Sequence, residues 1–225
     1  MTNRKTPFIT GEYYHIYNRG IDKRNIFSEQ KDLNRFFQSM IEFNVTEPIG
    51  SIYENSFVKN SQLGGETSKL RKNKLVNIIA YCLNPNHYHF IVEQVADKGI
   101  EKFMHRLATG YTMYFNEKEK RSGSLFQGVF KSINVDNNEY LLHLSAYVNL
   151  NAKVHQLGGE TSKLVKSVSS WEEYVGKNKN NICEKDIILD QFSNVGEYKK
   201  FASESLKTIR ERKESMKEIN NILLE

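Results

Sequence analysis

The chain has 225 residues, 39% of them hydrophobic, with 32 Lys and Arg against 27 Asp and Glu. That length buries a real core, as one ordinary domain with an extension or as two small domains, and the mild positive excess permits an anionic partner such as nucleic acid without demanding one. Its two cysteines, Cys82 and Cys183, form no Cys-x-x-Cys, which excludes a zinc ribbon and a disulfide framework; with no apolar leader and no membrane-length apolar run, a soluble cytoplasmic protein is expected.

Tyr13-Tyr14-His15-Ile16-Tyr17-Asn18 is aromatic and β-prone and stops at Arg19-Gly20, so a first strand is predicted there. Over residues 29–44, Leu33, Phe36, Phe37, Met40 and Ile41 recur at spacings of three and four, which predicts an amphipathic helix. After a polar stretch at roughly 45–73, Leu75 to Leu83 and His87 to Glu93 read as two strands joined by the short turn at Asn84-Pro85-Asn86. A second helical stripe runs through residues 98–119, with Ile100, Phe103, Met104, Leu107, Tyr111, Tyr114 and Phe115. Val129 to Val135 is a further strand, and Asn137-Asn138-Glu139 opens a helix running to about Asn151.

That order predicts a ferredoxin-like α+β domain, with helices packed on one face of a small antiparallel sheet. Beyond it come a short packing element with Trp171, Tyr174 and Val175, an apolar helix near 185–193 and a charged helix near 196–223. The last reads as a solvated extension, so residues 1–176 are expected to form the main domain and 177–225 a helical tail.

The nonapeptide Gln62 to Leu70 recurs letter for letter at Gln156 to Leu164. Two copies are too few and too short for a solenoid, and their Gly-Gly and polar content places both in surface loops.

The densest chemistry lies in His87-Tyr88-His89. Strand side chains alternate faces, so both imidazoles point one way, a pair able to hold a divalent metal. On the helix at 137–151, His143, Tyr147 and Asn151 fall at i, i+4 and i+8, beside an apolar stripe of Leu141, Leu144 and Val148. A tyrosine near such a metal is a workable nucleophile for a phosphodiester, and the Asn151 amide oxygen could complete the coordination. Spacing alone does not choose Tyr147 over Tyr111 or Tyr114.

Several motifs, in order from about residue 8 to residue 176, resemble the REP-associated tyrosine transposases of the single-tyrosine HUH group. They are Tyr14 to Gly20, Ala80 to Phe90, Ser122 to Gly128 with Phe130-Lys131-Ser132, Tyr147 to Asn151, and Ser169 to Tyr174. The resemblance implies a Mg2+- or Mn2+-dependent enzyme that cuts single-stranded DNA beside a hairpin and rejoins it through a 5′-phosphotyrosine. It maps the metal onto His87 and His89, the nucleophile onto Tyr147 and a third ligand onto Asn151. It also leaves a homodimer open. Ala152 departs from the family's usual proline, and the two nonapeptides fall where the family tends to be shorter.

Arg19, Lys23, Arg24, Arg106, Arg121 and Lys131 are candidate contacts for DNA phosphates, with Phe126 and Phe130 as stacking partners for unpaired bases. His15, His105 and His155 read as structural or surface residues. The alternatives are a domesticated hairpin-binding protein without chemistry, and a replication-initiator or relaxase type of HUH nuclease.

Overall fold

A computed structural model describes residues 7–47, 49, 50, 52, 73–154, 165–177 and 182–222. Both nonapeptide copies and His155 lie outside these residues.

Five antiparallel strands, β1 (Tyr13–Arg19), β2 (Val76–Asn84), β3 (His87–Gln94), β4 (Lys131–Val135) and β5 (Val168–Ser169), form one sheet in the order β4-β1-β3-β2-β5. The helices are α1 (Gln30–Glu42), α2 (Gly99–Lys118), α3 (Asn138–Asn149), α4 (Asn151–Val154), α5 (Trp171–Tyr174), α6 (Asp186–Leu189) and α7 (Val195–Ile222). The ferredoxin-like α+β class expected from the element order is therefore what the chain adopts. No helix among the described residues is long and apolar enough to cross a membrane.

The helices cover both faces of the sheet rather than the one expected. Tyr88 and Phe90 alternate with His87 and His89, and they pack under α1, where the Phe36 ring sits 5.7 Å from Tyr88 and 6.3 Å from Phe90. Tyr111 of α2 closes on Phe36 at 4.9 Å, and its hydroxyl donates to the Ile26 carbonyl at 2.6 Å. Truncating so enclosed a ring as Phe36 to alanine costs about 3–5 kcal/mol. The opposite face, bearing His89, lies under α3, whose Tyr147 ring is 5.6 Å from that imidazole. A single face of helices would have left one of these two strand faces, both rich in apolar or aromatic groups, in water.

Local capping fixes where the helices begin. Asp32, fully buried, accepts from the backbone N–H groups of Ser28 and Glu29 and receives Lys118 Nζ at 2.7 Å, which ties α1 to the end of α2. Asn137 caps α3 by accepting from Tyr140 N at 2.7 Å. The expected single helix to Asn151 breaks after Asn149. The Ser169 hydroxyl donates to the Asn149 carbonyl at 2.8 Å, so the end of α3 is satisfied from β5 and the chain restarts as α4.

The C-terminal helix is not solvated along its whole length. Tyr198 and Ala202 of α7 are fully buried, and the Tyr198 hydroxyl accepts from Asn149 Nδ2 at 2.9 Å and lies 3.2 Å from Ser145 Oγ. The helix carrying Tyr147 is thus held between the sheet and α7.

Candidate functional site

Strand register gathers one set of polar side chains on the face under α3. β1 pairs with β3 so that Tyr17 lies opposite His89 and Arg19 opposite His87; β4 places Lys131 opposite Tyr17. His15, two residues from Tyr17, shares that face. The expected pair of imidazoles is therefore real, with ring centroids 5.2 Å apart, but it is the centre of a larger group.

His87 is held at both nitrogens. Its Nδ1 lies 2.6 Å from Asn86 Oδ1, which as an acceptor fixes the proton on Nδ1, and its Nε2 accepts from Asn84 Nδ2 at 2.9 Å. The same Asn84 Nδ2 donates to Asn151 Oδ1 at 2.8 Å. One amide group therefore stands against the lone pairs of both His87 and Asn151. Asn151 is fully buried, and its Nδ2 has no hydrogen-bond partner among the described residues.

His89 meets His15, whose Nε2 lies 2.9 Å from His89 Nδ1. His15 is only 6% exposed, and burial pushes its pKa down to about 4, so the ring is neutral. This residue, read from the sequence as structural or surface, belongs to the site. Tyr17, which no sequence argument singled out, stacks 5.8 Å from His89 and lies tilted 5.0 Å from His15. A signal for both existed. Once Tyr13 to Asn18 is a strand, period two puts His15, Tyr17 and Arg19 on the face away from apolar Tyr14 and Ile16.

Tyr147 is half-buried above these rings. Burial raises its pKa above the ordinary phenol value, and the neighbouring Asn151 side chain acts in the opposite direction. The rival tyrosines are elsewhere: Tyr111 is buried on the far face, and the Tyr114 hydroxyl donates to Asp32 at 3.1 Å.

A cavity of about 510 Å³ opens between Tyr147 and the strand face. Arg19, Lys23 and Lys131 line it beside His87, His89 and Tyr17, and no carboxylate does among the described residues. Gly20 makes this approach possible: a Cβ there would lie 2.2 Å from the Arg24 carbonyl oxygen, against which the chain folds back. Asp22 and Lys23 then take left-handed φ values of 51° and 59°, a costly conformation for such residues, and Lys23 reaches the cavity.

The other candidate cations are not brought to it. Arg24 bonds back to the Ile21 carbonyl at 3.2 Å. Arg106 donates to the Val45 and Thr46 carbonyls, and Arg121 to Asn116 and the Ser124 carbonyl. Phe126 is buried edge-on against Tyr88, and Phe130 stacks 6.3 Å from Phe8. His105 is exposed on α2, and His143 is exposed on α3 with Nδ1 3.0 Å from Ser205 Oγ.

Among the described residues, no group of three His, Cys, Asp or Glu side chains is disposed to hold a metal. Two imidazoles and an amide form a different donor set, and it fits a cation on one observation. His87 Nε2 and Asn151 Oδ1 already converge on a single N–H2 group, that of Asn84, at 2.9 and 2.8 Å. A cation held by these three groups alone would have the rest of its shell filled by water or by phosphate oxygens.

Residues 51–151 match the family model described as transposase, IS200-like. A solved structure of a REP-associated tyrosine transposase bound to a REP hairpin has the same fold at a TM-score of 0.52, with 14% sequence identity, over 81% of this chain and 90% of that chain. No curated protein matches the sequence. The resemblance carried by the motifs is upheld, and the fold is transposase-like.

Proposed function

We propose that this chain is a divalent-cation-dependent endonuclease and strand transferase for single-stranded DNA, acting beside hairpins, with Tyr147 as its nucleophile. The observation that carries this reading is the placement of Tyr147, 5.6 Å ring to ring from His89, over a cavity lined by three cations.

Arg19, Lys23 and Lys131 supply the charge that draws a phosphodiester into the cavity and keeps it there. His87, His89 and Asn151 would hold Mg2+ or Mn2+, which polarises phosphoryl oxygens and offsets charge in the transition state. Asn84 must turn its amide away from His87 and Asn151 for both to serve. With His89 Nδ1 donating to His15 Nε2, His89 carries its lone pair on Nε2, the orientation that a ligand imidazole needs.

Tyr147 Oη then attacks phosphorus, the bond to the 3′ oxygen breaks, and the phenolic proton ends on the leaving 3′-OH. The product is a 5′-phosphotyrosine, and attack by a 3′-OH reverses the step, so rejoining needs no external energy source. The Asn151 amide, buried beside the phenol, favours its ionised form. We assign this chemistry to residues 1–176, with 177–225 as a helical extension.

The test is a denaturing gel with Mn2+ and single-stranded oligonucleotides from the gene's flanks. A covalent adduct that is lost in Tyr147→Phe and with chelator supports the proposal. A binding-only protein is the second reading, favoured by the Asn84 amide occupying two of the donors. Tight hairpin binding with no adduct under either metal would establish it instead.

A further inference from the structure

Tyr147 lines two cavities, and only one is accounted for. On its other side a groove of about 770 Å³ runs between α3 and α7, walled by Tyr140, Leu144, Phe201 and Ile209 and edged by Glu204 and Arg212. We propose that this groove seats one unstacked base of the strand that Tyr147 cuts. The inference rests on the nuclease reading above.

Charge separates the two spaces. The cavity at the histidines has three cations and no carboxylate among its lining residues, so it takes phosphate. The groove sets Glu139 and Glu204 against Arg212, an acidic balance that disfavours phosphate and leaves the neutral base as the part of a nucleotide that fits. Its walls supply the aromatic surfaces on which bases stack whatever their sequence. Phe201 is held for that role by the His143 ring, 5.0 Å away, and His143 is itself bonded to Ser205.

Because Tyr147 is common to both spaces, a strand whose phosphate lies at the nucleophile has a neighbouring base within reach of the groove. The Glu204 carboxylate only accepts hydrogen bonds. An exocyclic amine (of cytosine, adenine or guanine) suits it better than thymine, whose one donor, N3–H, lies between two carbonyl oxygens that repel a carboxylate.

The experiment is an abasic walk. The full chain is titrated with flank oligonucleotides in which one nucleotide at a time is replaced by a tetrahydrofuran abasic residue. Wild type is expected to lose about tenfold in affinity at one position next to the cut. In Phe201→Ala that penalty shrinks below about twofold, while other positions keep theirs. In Glu204→Gln, an exposed side chain whose change leaves folding intact, discrimination against thymine at that position disappears. A flat walk in wild type, or a penalty unchanged in both variants, overturns the groove assignment. A flat walk with the Tyr147-dependent adduct intact overturns it alone; failure to bind any strand overturns the nuclease reading as well.

Discussion

His15 Nε2 lies 2.9 Å from His89 Nδ1, and this contact fixes how the second imidazole of the strand pair faces the cavity. Outer partners that orient a ligand histidine typically matter by 10- to 100-fold in metal affinity. His15→Ala is accordingly expected to weaken Mn2+ binding by about that factor, measured by calorimetry on the full chain. His15→Gln, whose amide oxygen can accept from His89 Nδ1, is expected to recover part of it. Equal losses in both variants would show that His15 only fills space.

The cations divide into those in the cavity and those tied to carbonyls. Arg19→Ala and Lys131→Ala are each expected to make log K against log salt shallower by about 0.7 for a single strand. Arg106→Ala is expected to leave that slope alone and lower stability instead, since it loses bonds to the Val45 and Thr46 carbonyls. Binding titrations across salt concentrations, with a denaturant melt, separate the two.

Alkali tests the seat of α7 on α3. Burial pushes the Tyr198 phenol up to about 12, well above the ordinary phenol value of about 10. The folded state holds this proton more tightly than the unfolded chain, so the contribution is complete below pH 10 and lost as pH rises toward 12. That loss amounts to about 3 kcal/mol for a shift of this size. Tyr198→Phe is expected to cost about 1 kcal/mol at neutral pH, through the bonds to Asn149 and Ser145, and to flatten part of the alkaline decline in a urea titration series.

Much of this architecture was legible because it is written in periodicity. Four of the strands and the long helices follow from period two and from spacings of three and four, and His87 with His89 follows from strand alternation alone. What escaped depended on neighbours distant in the chain. His15 and Tyr17 join the site only because β1, not β4, lies beside β3, and strand order is set by the whole sheet. The helix breaks before Asn151 where Ser169, on a strand of two residues, takes the Asn149 carbonyl. Arg106 and Arg121 look like DNA contacts in composition, yet each satisfies a carbonyl that a turn leaves open. The helices on both faces were signalled by Tyr88 and Phe90 alternating with the histidines, a strand apolar on one side and functional on the other.

The most direct measurement is peptide mapping of the covalent species by mass spectrometry after digestion of the DNA. Among the described residues, Tyr17, Tyr140 and Tyr147 line the cavities at the His89 face, and mapping reads which one bears phosphate. A nucleotide remnant on Tyr147 alone is the expected result. A remnant on Tyr17 or Tyr140, with Tyr147 unmodified, would contradict the proposed nucleophile and with it the geometry argued for the site.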